Sequence, residues 1–179
     1  MAILTTDILF KLSTKSGSAG NSLSSTPAES LGKYISTTVV TAATLHNLFD
    51  VVTGDENAAN DVEYRCVFVH NAHASLTLTG AVVWLSAEVA DGAAGAIAID
   101  DVAASVIGSA TAQADEVADE STAPTGESFS SPTTKGTGLA IGDIPAGSCR
   151  AFWVRRTCAD SAALDADGAT VRCEGDTAA

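Results

Sequence analysis

The residues that could do chemistry are few, and their spacing decides against most of it. His70 and His73 stand in HNAH, and an HxxH pair on a turn could ligate a metal. No third ligand falls at a usual interval, so a turn histidine that caps backbone groups is the better reading. Asp165, Asp167 and Gly168 in DADG resemble part of a calcium loop. The full pattern needs an acid or amide where Ala163 stands, so an Asp-rich turn is expected instead. Serines are abundant, yet none sits in a GxSxG elbow, and no GxGxxG or GxxxxGK[ST] loop is present. The acidic pairs Asp100–Asp101 and Asp115–Glu116 read as solvated loop charge rather than a catalytic dyad. These motifs predict no enzyme, no cofactor, no metal and no small-molecule substrate.

Cys66, Cys149, Cys158 and Cys173 lack CxxC spacing, and they read as reduced thiols packing as small hydrophobes. Cys158 and Cys173 fall on consecutive predicted strands and could face each other; a disulfide would need an oxidising medium. Arg155 and Arg156 follow Trp153 in FWVRR. They project to opposite faces of a strand, beside a tryptophan expected to be exposed or half-buried. Either they are ordinary surface arginines, or one pairs with an acid on this or another subunit.

These residues are carried by strands. In VEYRCVFVHN (62–71) Tyr64, Cys66 and Phe68 share one face, with Arg65, Val67 and Val69 on the other. After AHAS, the run LTLTGAVVWLS puts Leu76, Leu78, Val82 and Trp84 on one face, with Thr77, Thr79, Val83 and Leu85 opposite. The short polar break predicts that the two runs form a β-hairpin, and apolar residues on both faces predict that it is central and covered on both sides.

Further strands are expected at 3–12, 34–41, around Ile97 and Ile99, near Val106, from Gly138, over 148–158 and over ATVRCEGD (169–176). LHNLFDVV (45–52) reads as a short strand or one helical turn, and GDENAAND (54–61) as an acidic loop. Segment 110–120 has no stripe of period 3.6 and reads as loop. About eight short strands with turn signals between them predict an all-β fold, an antiparallel β-sandwich or jelly-roll-like single domain. Within it, 1–35 is expected to supply an N-terminal strand and an extended, flexible Ser/Gly-rich arm, and 36–179 the sandwich.

The chain has 179 residues, 22 acidic against 9 basic, and a net charge of −13. That balance argues against a nucleic-acid partner and against adhesion to an anionic membrane. The N-terminus MAILTTDILFKLS has no basic region and no apolar run of signal length, so folding in a cytoplasm is expected. Nothing approaches the ~18 apolar residues of a membrane span.

The block GDENAANDVEYRCVFVHNAHASLTLTGAVVWLS, then VADESTAPTGESFSSPTTKGTGLAIGDIPAGSCRAFWVRRT and a terminal VRCEGDTA, resembles a family of small structural proteins of tailed-bacteriophage virions. ILFKLS, the Gly/Ser/Asn stretch and PAESLGKYIS extend the likeness to nearly the whole chain. The resemblance implies a non-enzymatic protein present in many copies on a virion assembled in the host cytoplasm. A capsid decoration, or cement, protein is the expected role, bound outside the head to the major capsid protein and to itself as a homotrimer. A tail, neck or head-fibre component is the alternative, and a glycan-binding sandwich module a second. The expected contact residues are Phe10, Lys11, Leu23, Leu31, Tyr34, Trp153, Arg155 and Arg156, with the stretch from Asp7 to Ile35 as the arm that reaches a neighbour.

Overall fold

The alternation in 62–71 is realised as a strand buried on both faces, and the rest of the fold follows from covering it. The computed structural model describes residues 2–17, 23–159, 161–162, 164 and 167–177. The described strands are β1 (Ile8–Thr14), β2 (Tyr34–Val39), β3 (Val62–Asn71), β4 (Leu78–Glu88), β5 (Ala94–Ile99), β6 (Ser105–Val106), β7 (Leu139–Ile144), β8 (Ser148–Thr157) and β9 (Ala169–Thr177). They form two antiparallel sheets. One runs β2-β1-β3-β8-β5, with the short β6 also on β8; the other runs β7-β4-β9.

The expected hairpin between 62–71 and 76–86 does not form. β3 pairs with β1 and β8, whereas β4 pairs with β7 and β9 in the opposite sheet. The alternation is right, but it specifies which face is apolar, not which edge is paired. Val67 and Val69 of β3 meet Ala81, Val83 and Leu85 of β4 face to face across the interior, with Ile97, Ile141, Ile144, Phe152 and Val154 completing that core. The connecting corner is held by Asn71, whose amide donates to Leu76 O (2.8 Å) and Ile144 O (2.9 Å). His73 Nδ1 accepts from the backbone of Ser75 (3.1 Å) and Leu76 (3.0 Å). The turn-capping role expected of a histidine in HNAH is what His73 performs.

A second difference lies within β4. Leu78 sits in the same core as Val83 and Leu85, not on the face of Trp84. Gly80, at φ +57, and a break in the β4–β7 register between Leu78 and Ala81 insert the residue that shifts the parity. Such a bulge is invisible to a strict period of two.

The other face of β3 is covered by connecting segments. Leu31, Ile35, Cys66, Phe68, Ala114, Val117, Cys149, Ala151 and Trp153 form this second core. Residues 31–33 and 113–117 lie alongside each other, with Val117 N donating to Leu31 O (3.1 Å) and Lys33 N to Asp115 O (3.1 Å). Gly32 makes the approach possible: at φ +94, a Cβ there would lie 1.8 Å from Asp115 O. Residues 110–120 are loop, as expected, but a loop that closes a core.

The described part of the expected arm lies on its own domain. β1 is an interior strand of the larger sheet, so a boundary at residue 35 does not follow the architecture. Ser30, fully buried, accepts from Ser13 N (2.8 Å) and donates to Cys66 O (2.6 Å), and Thr37 N donates to Leu23 O (2.8 Å). Positions 18–22 of the arm fall outside the described residues, as do Ala163 and Asp165 of the DADG loop.

Two smaller expectations also change. GDENAAND contains a helix, α1 (Gly54–Ala59), capped by Thr53 Oγ1 accepting from Glu56 N (3.3 Å) and Glu56 Oε2 accepting from Thr53 N (2.6 Å). Residues 45–52 form turns rather than a strand or helical turn. Cys158 follows β8 in one sheet and Cys173 lies on β9 in the other, so they do not face each other across a ladder, and all four cysteines are free.

Candidate functional site

Two clusters of charged side chains stand out, one on the β3–β8 pair and the other where β8 meets the end of β5. In the first, Glu63 stands in register with Arg156. Arg156 Nε donates to Glu63 Oε2 (2.6 Å), and its Nη1 and Nη2 reach Asp50 O (2.6 Å) and Asp50 Oδ1 (3.2 Å). Two residues along β3, Arg65 is buried to 1% exposure and pairs with Glu120. Both guanidiniums lie over the ring of Phe49, at 5.3 and 4.8 Å. Burial pushes the Glu63 carboxyl above the usual carboxylate range, and Arg156 pulls it back. Residues 63, 65, 67 and 69 share a face, so the interior grades from aliphatic core into this ion-pair network at one end. The arginine expected to pair with an acid is therefore Arg156, and its acids are on its own chain.

The second cluster surrounds Trp153, which is not exposed at all. Its indole Nε1 donates to Asp100 Oδ2 (2.9 Å), and Asp100 also accepts from Val102 N (3.0 Å) and Asp115 N (3.0 Å). The solvated role expected of Asp100 is thus wrong: it is fully buried. Ala96, Ala98 and Asp100 alternate along and just beyond β5, which puts the carboxylate on the buried face. That signal was present in the alternation of AGAIAID. Burial raises the pKa of Asp100, partly offset by its three donors.

Asp101 and Glu127 approach Asp100, with one carboxylate oxygen of each within 4.8 Å of the others. Burial, followed by the charges of Asp100 and Asp115, pushes Glu127 up. These are the described residues that come nearest to a ligand set for a hard cation. Both oxygens of Asp100 are already committed to protein donors, and three carboxylates supply fewer ligands than the six to eight oxygens calcium takes.

The eight expected contact residues do not form one patch. Phe10 is half-buried in the first core, edge-on to Phe152 at 5.9 Å between centroids. Lys11 lies on the opposite face of β1, across from Phe68, and burial lowers its pKa. Leu31 and Trp153 belong to the second core, which removes both from any contact surface. Their apolar character reflects burial against their own chain. Leu23 is 37% exposed; Tyr34 donates to Ala110 O (3.2 Å) and has Lys33 Nζ over its ring at 5.7 Å. Arg155 lies over Phe129 at 5.2 Å, next to Tyr64. Among the described residues the most exposed large apolar side chains are instead Leu45, Val51, Leu4 and Val106, which the sequence placed in strands or, for Leu45 and Val51, in a short strand or helical turn, and did not single out as contacts. Trp84 is buried as well, so neither tryptophan offers an open face to a sugar ring.

Comparison with protein-family models, with curated proteins and with solved structures gave no match. Among the described residues no helix is long and apolar enough to cross a membrane.

Proposed function

We propose that this chain is a non-enzymatic structural protein of a tailed-bacteriophage particle, a capsid decoration protein that binds the outside of the head and stabilises the major capsid lattice. The observation that carries the reading is the resemblance of the phrases in 54–86, 117–157 and 171–178 to small virion proteins. It extends over nearly the whole chain rather than over one motif.

The architecture is compatible with that role. Charged side chains inside the domain are paired: Glu63 with Arg156 across adjacent strands, Arg65 with Glu120 of a connecting loop, and Asp100 with the Trp153 indole. The excess of acid lies outside, where it keeps copies soluble before assembly. Contact with the capsid falls to Leu23 beside β2, to the half-exposed Tyr34 at the start of β2, and to the exposed Leu45 and Val51.

Quantitative mass spectrometry of purified particles tests the reading. A decoration protein occurs in a copy number comparable with that of the major capsid protein. A chain absent from particles, or present in only a few copies, overturns it; a few copies point to the neck or tail.

A further inference from the structure

Sheet edges expose rows of unpaired N–H and C=O groups, and proteins guard them. Of the four edges of the described sheets, three are guarded. Along β2, Leu23 O accepts from Thr37 N (2.8 Å), and Ser25 N donates to Thr38 Oγ1 (3.0 Å). Along β5, Ser130 exchanges two backbone bonds with Ile97 (2.8 and 3.0 Å), Glu88 accepts from Gly95 N, and Ser131 Oγ donates to Gly95 O (2.6 Å). β7 is short, broken in register, and has Arg150 Nη1 donating to Ile141 O (2.6 Å).

β9 differs. It is nine residues long, regular along its own length, and paired only with β4. The carbonyls of Thr170 and Asp176 accept from Ser86 Oγ (3.3 Å) and Thr79 Oγ1 (3.0 Å) of β4. Because backbone direction alternates along a strand, the even positions address β4, and Val171, Cys173 and Gly175 direct their N–H and C=O to the free edge. Among the described residues, no backbone partner meets those groups. Ile3 N donates to Thr177 Oγ1 (3.3 Å), and Ile3, Leu4, Ile8 and Phe10 line a shallow groove with Val171, Cys173 and Gly175 without bonding their backbone.

We infer that this edge pairs with β9 of a second copy, antiparallel and about a two-fold axis at Cys173. The argument is charge complementarity. Thr170, Arg172, Glu174 and Asp176 are exposed on the outer face. With Cys173 opposite its symmetry mate, each Arg172 stands opposite the other copy's Glu174, and each Thr170 opposite Asp176. Slipping the register by two residues opposes Arg172 to Arg172 in one direction; in the other it sets each Arg172 across from Asp176 but opposes Glu174 to Glu174 at the axis, so only the Cys173-centred register pairs opposite charges with no like pair. Opposite charges directly across an antiparallel pair stabilise it and like charges destabilise it. In the favoured register Val171 pairs with Gly175, Cys173 with Cys173 and Gly175 with Val171, giving about six backbone hydrogen bonds. Glu174 already holds Lys135 at 3.3 Å on the same exposed face, which leaves its second oxygen for the partner. The result is one continuous six-stranded sheet, β7-β4-β9-β9-β4-β7, with closed two-fold symmetry. This contact is independent of where in a particle the chain resides, and it differs from the three-fold association expected from the resemblance.

Sedimentation equilibrium of the full chain, with hydrogen exchange followed at the amides of Val171, Cys173 and Gly175, tests it. The expected result is a concentration-dependent dimer whose formation slows exchange at those three amides. Arg172→Glu and Glu174→Arg alone each weaken the dimer on the order of tenfold or more. The charge-swapped double variant, Arg172→Glu with Glu174→Arg, restores it, and circular dichroism checks that each variant is folded. A monomer at every concentration overturns the inference. So does a trimer whose β9 amides exchange freely, or a dimer indifferent to either single substitution. Failure of the swapped variant to recover pairing, while folded, also overturns it.

Discussion

Trp153 and Asp100 are joined by a 2.9 Å hydrogen bond between two side chains that are both fully buried. The bond ties β8 to the end of β5 and, through the Asp115 N–H on the same carboxylate, to the loop that closes the second core. One carboxylate thus replaces the sheet that would otherwise cover this face.

Asp100→Ala leaves the buried Trp153 indole and two half-buried backbone N–H groups without their acceptor and should destabilise the domain by about 3 kcal/mol. Trp153→Phe removes one donor and part of the packing, for about 2 kcal/mol, and Asp100→Asn should be milder than Asp100→Ala because an amide oxygen still accepts. Urea midpoints at constant slope check the order. Equal midpoints for Asp100→Ala and wild type would contradict it.

The Glu63–Arg156 pair should behave as a coupled unit. Glu63→Gln leaves a largely enclosed guanidinium short of a charge partner, at a cost of about 3 kcal/mol. The double variant Glu63→Leu with Arg156→Leu should lose less than the sum of its singles by about 1 kcal/mol or more. Lys135→Ala, at a pair half-exposed on both sides, should change stability by less than about 0.5 kcal/mol. A double-mutant cycle in urea reads all of these, and strict additivity at 63 and 156 would refute the coupling.

Much of this was legible and some was not, for reasons that can be named. The faces of β3 and β8 follow directly from alternation: Cys66 and Phe68 against Val67 and Val69, and Trp153 against Phe152 and Val154. Edge pairing was not legible, because the apolar pattern of 62–86 suits a hairpin and a face-to-face pair equally well. That one misassignment hid the Glu63–Arg156 and Arg65–Glu120 pairs, whose partners lie 93 and 55 residues apart. Asp100 was misread because a carboxylate in a loop-like IDD run is ordinarily solvated, and only its phase with Ala96 and Ala98 betrays it. Leu31 was assigned to an arm because Ser and Gly dominate its surroundings, whereas those small residues are what let 30–33 approach β3 and Asp115.

His70 supplies a pH dependence. Burial first, then Lys11 on the neighbouring strand, lowers its pKa to about 4; Cys149 faces it from β8. The unfolded value is ~6.5, so between the two the unfolded chain binds a proton that the folded chain does not. His70 therefore contributes stability above ~6.5 that is lost as pH falls to about 4, amounting to about 3 kcal/mol. Glu63, Asp100, Asp115 and Glu127, all raised by burial, act in the opposite sense: their cost at neutral pH is relieved as pH falls through their folded values. The stability difference between wild type and His70→Gln isolates the histidine and should shrink from pH 7 to 4. Parallel curves would exclude this role.

The thiols should be silent in the native state. Burial pushes Cys149 and Cys173 up to about 12, Cys66 well above the usual thiol range, and Cys158 upward. Thiolate is the reactive form, so an aromatic disulfide reagent at pH 8 should label none of them on mixing and all of them in urea. Rapid labelling without denaturant would show that a thiol is more open than the fold implies.

A cryo-EM reconstruction of particles carrying this chain tests the proposed place on the capsid exterior. The expected result is copies spread over the outside of the icosahedral head, seated on the major capsid protein through surface positions among Leu23, Tyr34, Leu45 and Val51. Density for the chain confined to the neck or tail, or absent from the particle, would contradict it.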